Sequence, residues 1–185
     1  MSEYYLISQL PSLDGIGEHT PLPITEERFS ELCSLFTGKR TLTELQKLTV
    51  CPVPDFEPSS SSLINKWNEN ERDLRLALGK IRAEKIKKSF DAGEKPISPE
   101  LIKTAEAAVT AGNPLDAEQY LSSCRLAFLE SIRPFDSFSD DYLFYYALRL
   151  RLLSRIKNFD MSKGKTSYKN IYNTVINGKG TEDEQ

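Results

Sequence analysis

From Ser62 to Phe90 the chain holds no proline and a single glycine, Gly79, and its apolar residues recur at helical spacing. At 100° per residue, Ile64, Trp67, Leu74, Leu78 and Ile81 gather within about 100° of one another. Leu76, Gly79, Ala83, Ile86 and Phe90 form another stripe on the opposite side. A surface helix needs one apolar stripe, so two opposed stripes predict neighbours on both sides of a long rod. Gly79 and Ala83 would let one neighbour come close, offsetting the roughly 1 kcal/mol that a helical glycine costs against alanine. The expectation is a mainly α fold: a multi-helix bundle with a long central helix and a short extended N-terminal segment.

Start and stop signals on either side supply the other helices. Thr25 can cap a helix through Phe36, with Glu26 and Glu27 in its first turn and Ile24 and Phe29 as a hydrophobic staple. Thr41 and Glu44 sit at capping-box spacing for a second, short helix. Ser98 and Pro99 supply an N-cap and an N1 proline, and Gly112 a stop. Asn113 and Pro114 repeat that start for a helix closed by Pro134. On it Ala117, Tyr120, Leu121, Cys124, Phe128 and Ile132 make one stripe, with Leu115, Leu126 and Leu129 roughly opposite. Ser139, Asp140 and Asp141 open a sixth helix through about Phe159. Its apolar residues cover about two thirds of the circumference, which places it at the centre of a bundle. Arg149 falls inside that apolar arc, where an internal ion pair explains it. A last helix is expected from about Lys165 to Ile176.

Two segments read as strand-like: Tyr4 to Pro11, and Leu48 to Val53. Together they allow at most a two-stranded ribbon. Residues 11–23 read as loop, and Cys51 to Ser61 as a Pro- and Ser-rich connection. The resulting division is an extended N-terminal segment and loop over 1–24, a helical bundle over 25–178 and a flexible tail over 179–185.

Composition narrows the function. A 185-residue chain can bury about 70% of its unfolded surface without metal or disulfide support. The net charge of −3 argues against nucleic acid as a partner, since phosphate neutralisation needs many cations. The opening residues carry no basic-then-apolar signal pattern. The most apolar stretch, Tyr142 to Leu153, is broken by Arg149 and Arg151 and falls short of the ~20 residues that span a bilayer. No direct membrane insertion is expected. Cys33, Cys51 and Cys124 are odd in number and widely spaced, which fits a reducing, cytoplasmic setting.

Catalytic patterns do not assemble. His19, the one histidine, stands in a Gly/Pro-rich loop with no motif placing a nucleophile beside it. Gly164-Lys165-Thr166 imitates the end of a phosphate loop, yet Phe159 occupies the position of the required first glycine. Asp140 and Asp141 are explained by the helix dipole. The expectation is no enzymatic activity, no cofactor and no metal. The remaining candidates are partner contacts. Arg75, Arg82 and Lys85 belong to a basic surface on the long helix that could meet an acidic protein, Arg149 is a candidate interface cation, and Leu115, Leu126 and Leu129 form a second apolar surface.

A series of segments adds to this reading: Tyr4-Tyr5-Leu6-Ile7-Ser8 with Leu10-Pro11, Phe29 to Cys33, and Trp67-Asn68 with Leu74-Arg75 and Arg82-Ala83. Asn113-Pro114-Leu115 with Ala117-Glu118, Tyr146 to Arg155, and Phe159-Asp160 with Gly164 continue it. In this order they resemble a bacterial family encoded with V-type ATP synthase genes and related to the funnel-shaped stalk connector of V-type ATPases (the C type of bacteria, the d type of eukaryotes). The resemblance implies a non-catalytic connector or accessory protein in ion transport, linking the central stalk and the membrane proteolipid ring. It would be cytoplasmic and peripheral at the inner membrane through those partners. The stalk connector is built from three similar helical portions, and this chain is long enough for little more than one. The alternative from the residues themselves is a helical protein–protein adaptor unrelated to rotary ATPases.

Overall fold

The computed structural model describes residues 2–16, 20–53, 56–90, 96–158 and 166–174. His19, Phe159, Gly164, Lys165 and the 179–185 tail lie outside the described residues. The elements in order are α1 (Ser2–Gln9), α2 (Glu26–Phe36), α3 (Lys39–Lys47), α4 (Ser62–Lys85), α5 (Pro99–Thr110), α6 (Pro114–Ser131) and α7 (Asp140–Asn158). A further helix, α8, covers 166–174. The fold is mainly α, and no strand occurs among the described residues.

The caps read from the sequence govern most boundaries. Thr25 Oγ1 accepts from the Arg28 amide at 3.2 Å, Ser98 Oγ from Glu100 at 3.3 Å, and Asn113 Oδ1 from Asp116 at 2.8 Å. Each satisfies an amide that the first turn would otherwise leave unpaired. Ser61 caps α4 at Ile64 and also donates to Asp141 Oδ1 at 2.6 Å, tying the starts of α4 and α7 together.

Several expectations are corrected. The N-terminal segment is helical rather than extended. Leu6, Ile7 and Leu10 fall on one helical face, and Leu6 and Ile7 are buried in the main core, whereas a strand would point them to opposite sides. Tyr4 and Tyr5 face outward, Tyr4 stacked on Phe138 at 5.2 Å and Tyr5 tilted against Phe36 at 5.3 Å. With that segment helical, residues 48–53 have no strand to pair with. Their carbonyls accept from side chains instead: Leu48 from Arg151, Thr49 from Trp67 Nε1 at 3.3 Å, and Pro52 from Arg75 at 2.6 Å. The capping box is also replaced. α3 begins at Lys39 behind Gly38, Thr41 donates to Asp140 Oδ2 at 3.0 Å, and Glu44 accepts from Ser59 at 2.9 Å.

The long helix α4 ends at Lys85, five residues early. Lys87 turns left-handed (φ 55°), and the amides of Lys88 and Lys87 return to the Ala83 and Glu84 carbonyls. This closure satisfies the last carbonyls as a C-terminal glycine commonly does. Phe90 then folds back over Gly79, where a Cβ would stand only 2.6 Å from the ring. The close approach to Gly79 is therefore made by the chain's own return and not by a neighbouring helix. Ile64, Trp67, Leu74 and Leu78 are buried, but on the opposite side only Ala83 is, with Ile86 and Phe90 exposed. The rod is packed firmly on one side.

The centre of the bundle is α7, with nine buried residues from Leu143 to Leu153. It touches α2, α3, α4 and α6. The main core joins it to Leu6, Phe29, Cys33, Leu45, Trp67 and Leu129. A smaller core holds α5 against α4 and α6 through Leu74, Ala77, Leu78, Ala105, Ala108 and Leu121. Between the two lies a buried ion pair, Arg125 Nε to Glu71 Oε1 at 2.9 Å. No described helix is long and apolar enough to cross a membrane.

Candidate docking surface

Residues 10–16 run from the end of α1 along α7 and are fastened there. The Tyr146 hydroxyl donates to the Pro11 carbonyl at 2.8 Å, Leu13 is buried, and Arg149 Nη1 meets Asp14 Oδ1 at 2.9 Å. Gly15 makes the turn with φ 68°, a conformation that side chains resist. Further along, Lys157 donates to the Thr20 carbonyl.

The strap forms one wall of an open groove whose other walls are α6 and the second half of α7. Two adjoining cavities of ≈ 300 Å³ each share Ile16, Leu126 and Leu153. One continues to Leu13, Leu129, Glu130 and Arg149, the other to Gln119, Ser123, Ile156 and Lys157. The middle is apolar, and the ends carry charge.

A polar cluster fixes the Glu130 end. Glu130 Oε2 accepts from the Tyr145 hydroxyl at 2.5 Å and pairs with Arg149 at 3.0 Å, while Oε1 pairs with Arg133 at 3.1 Å. Both guanidinium groups lie over the Tyr145 ring, at 5.5 and 5.9 Å from its centroid. The Tyr145 hydrogen bond first, then Arg133 and Arg149, hold the Glu130 carboxyl below the usual carboxylate range against its desolvation. Burial, reinforced by Glu130, pushes the Tyr145 phenol up to about 12, so it stays a neutral donor. The arrangement keeps a hydrophobic channel between fixed charged margins, a form suited to an amphipathic helix.

A second cavity, ≈ 380 Å³, lies between α3 and the start of α4, lined by Glu44, Leu48, Phe56, Ile64 and Asn68 among others. Among the described residues no three His, Cys, Asp or Glu side chains converge as metal ligands.

The candidate contacts read from the sequence do not form one site. Leu126, Leu129 and Arg149 meet in the groove, with Leu129 almost wholly inside the core and Arg149 in an internal ion pair. Leu115 is half-buried at the start of α6. On α4, Arg75 and Lys85 hold carbonyls of neighbouring segments, Pro52 at 2.6 Å and Val109 at 3.3 Å, and Arg82 is exposed. The strap, Ile16, Leu153 and Glu130 were not singled out from the sequence. The apolar Leu13 and Ile16 on either side of Asp14 and Gly15 were the available signal, obscured by the surrounding glycines and prolines. No family model, characterised protein or solved structure matches the chain.

Proposed function

We propose that this chain is a non-catalytic connector or accessory protein of a bacterial V-type ATP synthase, helping to link the central stalk and the membrane ring. The specific assignment is supported by the ordered series of segments from Tyr4 to Gly164 that resemble the family related to the stalk connector. The broader reading, a protein-docking helical body, is supported by the groove between the strap, α6 and α7. An apolar floor of this kind suits the apolar face of a partner helix. The groove alone equally favours the second reading, an adaptor unrelated to rotary ATPases.

Affinity purification of the full chain from detergent-solubilised membranes of its host tests the assignment. ATPase stalk and ring proteins should be retained, and Leu126→Glu should reduce that retention at least tenfold. Recovery of the folded chain without any ATPase component overturns the ATPase assignment. Retention unaffected by Leu126→Glu removes the groove from it.

A further inference from the structure

The groove and α8 each present an apolar face. α8 carries Tyr168, Ile171 and Tyr172 at helical i, i+3, i+4 spacing, and these are 68%, 65% and 53% exposed. The two tyrosine rings stack at 6.1 Å, so the three side chains make one continuous apolar face. Lys169, Asn170 and Asn173 occupy other sides of the helix. Three large apolar side chains exposed together on so short a helix mark a surface that is covered in use.

The number of residues between α7 and α8 allows α8 to reach the groove. Ile156 and Lys157, in the last turn of α7, line one end of it. Residues 159–165 separate α7 from α8 and can span at most about 25 Å. α8 itself is about 14 Å long at the rise of an α-helix. The groove therefore begins where the tether begins, and the helix lies within reach of the floor formed by Ile16, Leu126 and Leu153.

We infer that the groove is the seat of the chain's own α8, which packs Tyr168, Ile171 and Tyr172 against Leu126 and Leu153 and so competes with an incoming partner. Attachment of α8 to the same chain within about 25 Å of the groove favours docking within one chain over docking between two copies. The groove closes without any change in the bundle, because its walls are already fixed by Tyr146–Pro11 and Arg149–Asp14. A partner then has to displace α8. The inference rests on the groove being a docking surface, but not on the identity of the partner.

Thiol cross-linking of the full chain tests this. In a Cys51→Ser/Cys124→Ser background, Ser123→Cys is paired with Ile171→Cys, or with Asn170→Cys on the polar side as the control. A short bis-maleimide should join 123 to 171 within a single chain, at least fivefold more than 123 to 170, with no dependence on protein concentration. Equal yields for the two pairs, or links found only between chains, overturn the inference. Ile171→Glu, on an exposed helix and harmless to folding, should abolish the effect of α8 and raise partner retention several-fold; unchanged retention overturns the competition. If the parent and Ile171→Glu both retain no ATPase component while the 123–171 link forms, the ATPase assignment fails and the seat of α8 stands.

Discussion

Replacing Arg125 by methionine should be among the most damaging single changes in this protein, and replacing Glu71 at the same time should repair it. The Arg125 and Glu71 side chains are 7% and 0% exposed. Their one direct bond uses Arg125 Nε and Glu71 Oε1, while Arg125 Nη1, Glu71 Oε2 and the neighbouring Ser122 Oγ have no hydrogen-bond partner among the described residues. Removing one charge strands the other in a site closed to water, at a cost of about 3–5 kcal/mol. Total stability for a domain is typically about 5–15 kcal/mol, so Arg125→Met alone consumes a large part of it. In Glu71→Leu/Arg125→Met both charges disappear, and with them two stranded polar atoms that each cost about 1–3 kcal/mol. The double variant should therefore lie within about 1 kcal/mol of the parent or above it. Urea unfolding is the assay, followed by far-UV circular dichroism and by Trp67 emission, since the one tryptophan is fully buried beside this junction. Additive losses, about 6 kcal/mol or more for the double variant, would refute the reasoning, because they would mean that the pair contributes net stability that apolar packing cannot replace.

Three other outcomes follow from the same geometry. Glu130 has a folded-state value below its ordinary 4.5, so its contribution is fully present above that pH and is lost as pH falls through the folded value. Glu130→Gln should flatten the acid limb of the stability profile, and identical profiles would count against the Tyr145–Glu130–Arg149 cluster. The Cys33 thiol is buried and pushed up to about 12, whereas Cys51 is exposed and Cys124 half-buried. Iodoacetamide with mass analysis should label Cys51 first, Cys124 more slowly and Cys33 only on unfolding; early labelling of Cys33 would contradict the packing of α2. Gly79→Ala should shift the melting temperature little, because about 1 kcal/mol of helix propensity offsets displacement of the Phe90 ring. In a Phe90→Ala background the same change should raise it by several degrees, and a loss there would show that something other than Phe90 occupies the space.

What the sequence revealed depended on whether a signal was local. Thr25, Ser98 with Pro99, and Asn113 with Pro114 act on amides two or three residues away, and their helices begin where those residues place them. The central position of α7 was legible for a related reason, since an arc of apolar residues that wide has no arrangement except enclosure. Thr41 and Glu44 show the limit. Their spacing fits a capping box, but partners distant in sequence, Asp140 and Ser59, take both side chains. Arg125 misled the reading of α6 in the same way. The stripe expected from Ala117 to Ile132 holds Leu121, which is buried, and Phe128 and Ile132, which pack against the main core, but it omits Ser122 and Arg125, which are buried as well because Arg125 pairs with Glu71 from a distant helix. Of the groove, Leu126, Leu129 and Arg149 were visible in the sequence. The strap opposite them was not, because its position depends on the Tyr146 hydroxyl reaching Pro11 from far along the chain.

The buried pair also divides the molecule into parts of unequal strength. Beyond Glu71 and Arg125, α5 is held by a core in which three of six buried residues are alanines. At roughly 25 cal/mol per Å² of apolar area, alanines contribute far less than the leucines and aromatics around α7. The apolar burial behind α5 is accordingly smaller per buried residue than that on the α6–α7 side. The groove lies wholly on the second part, walled by a strap that is itself bonded to α7. A partner seated there would rest on the larger of the two cores and would make no contact with α5.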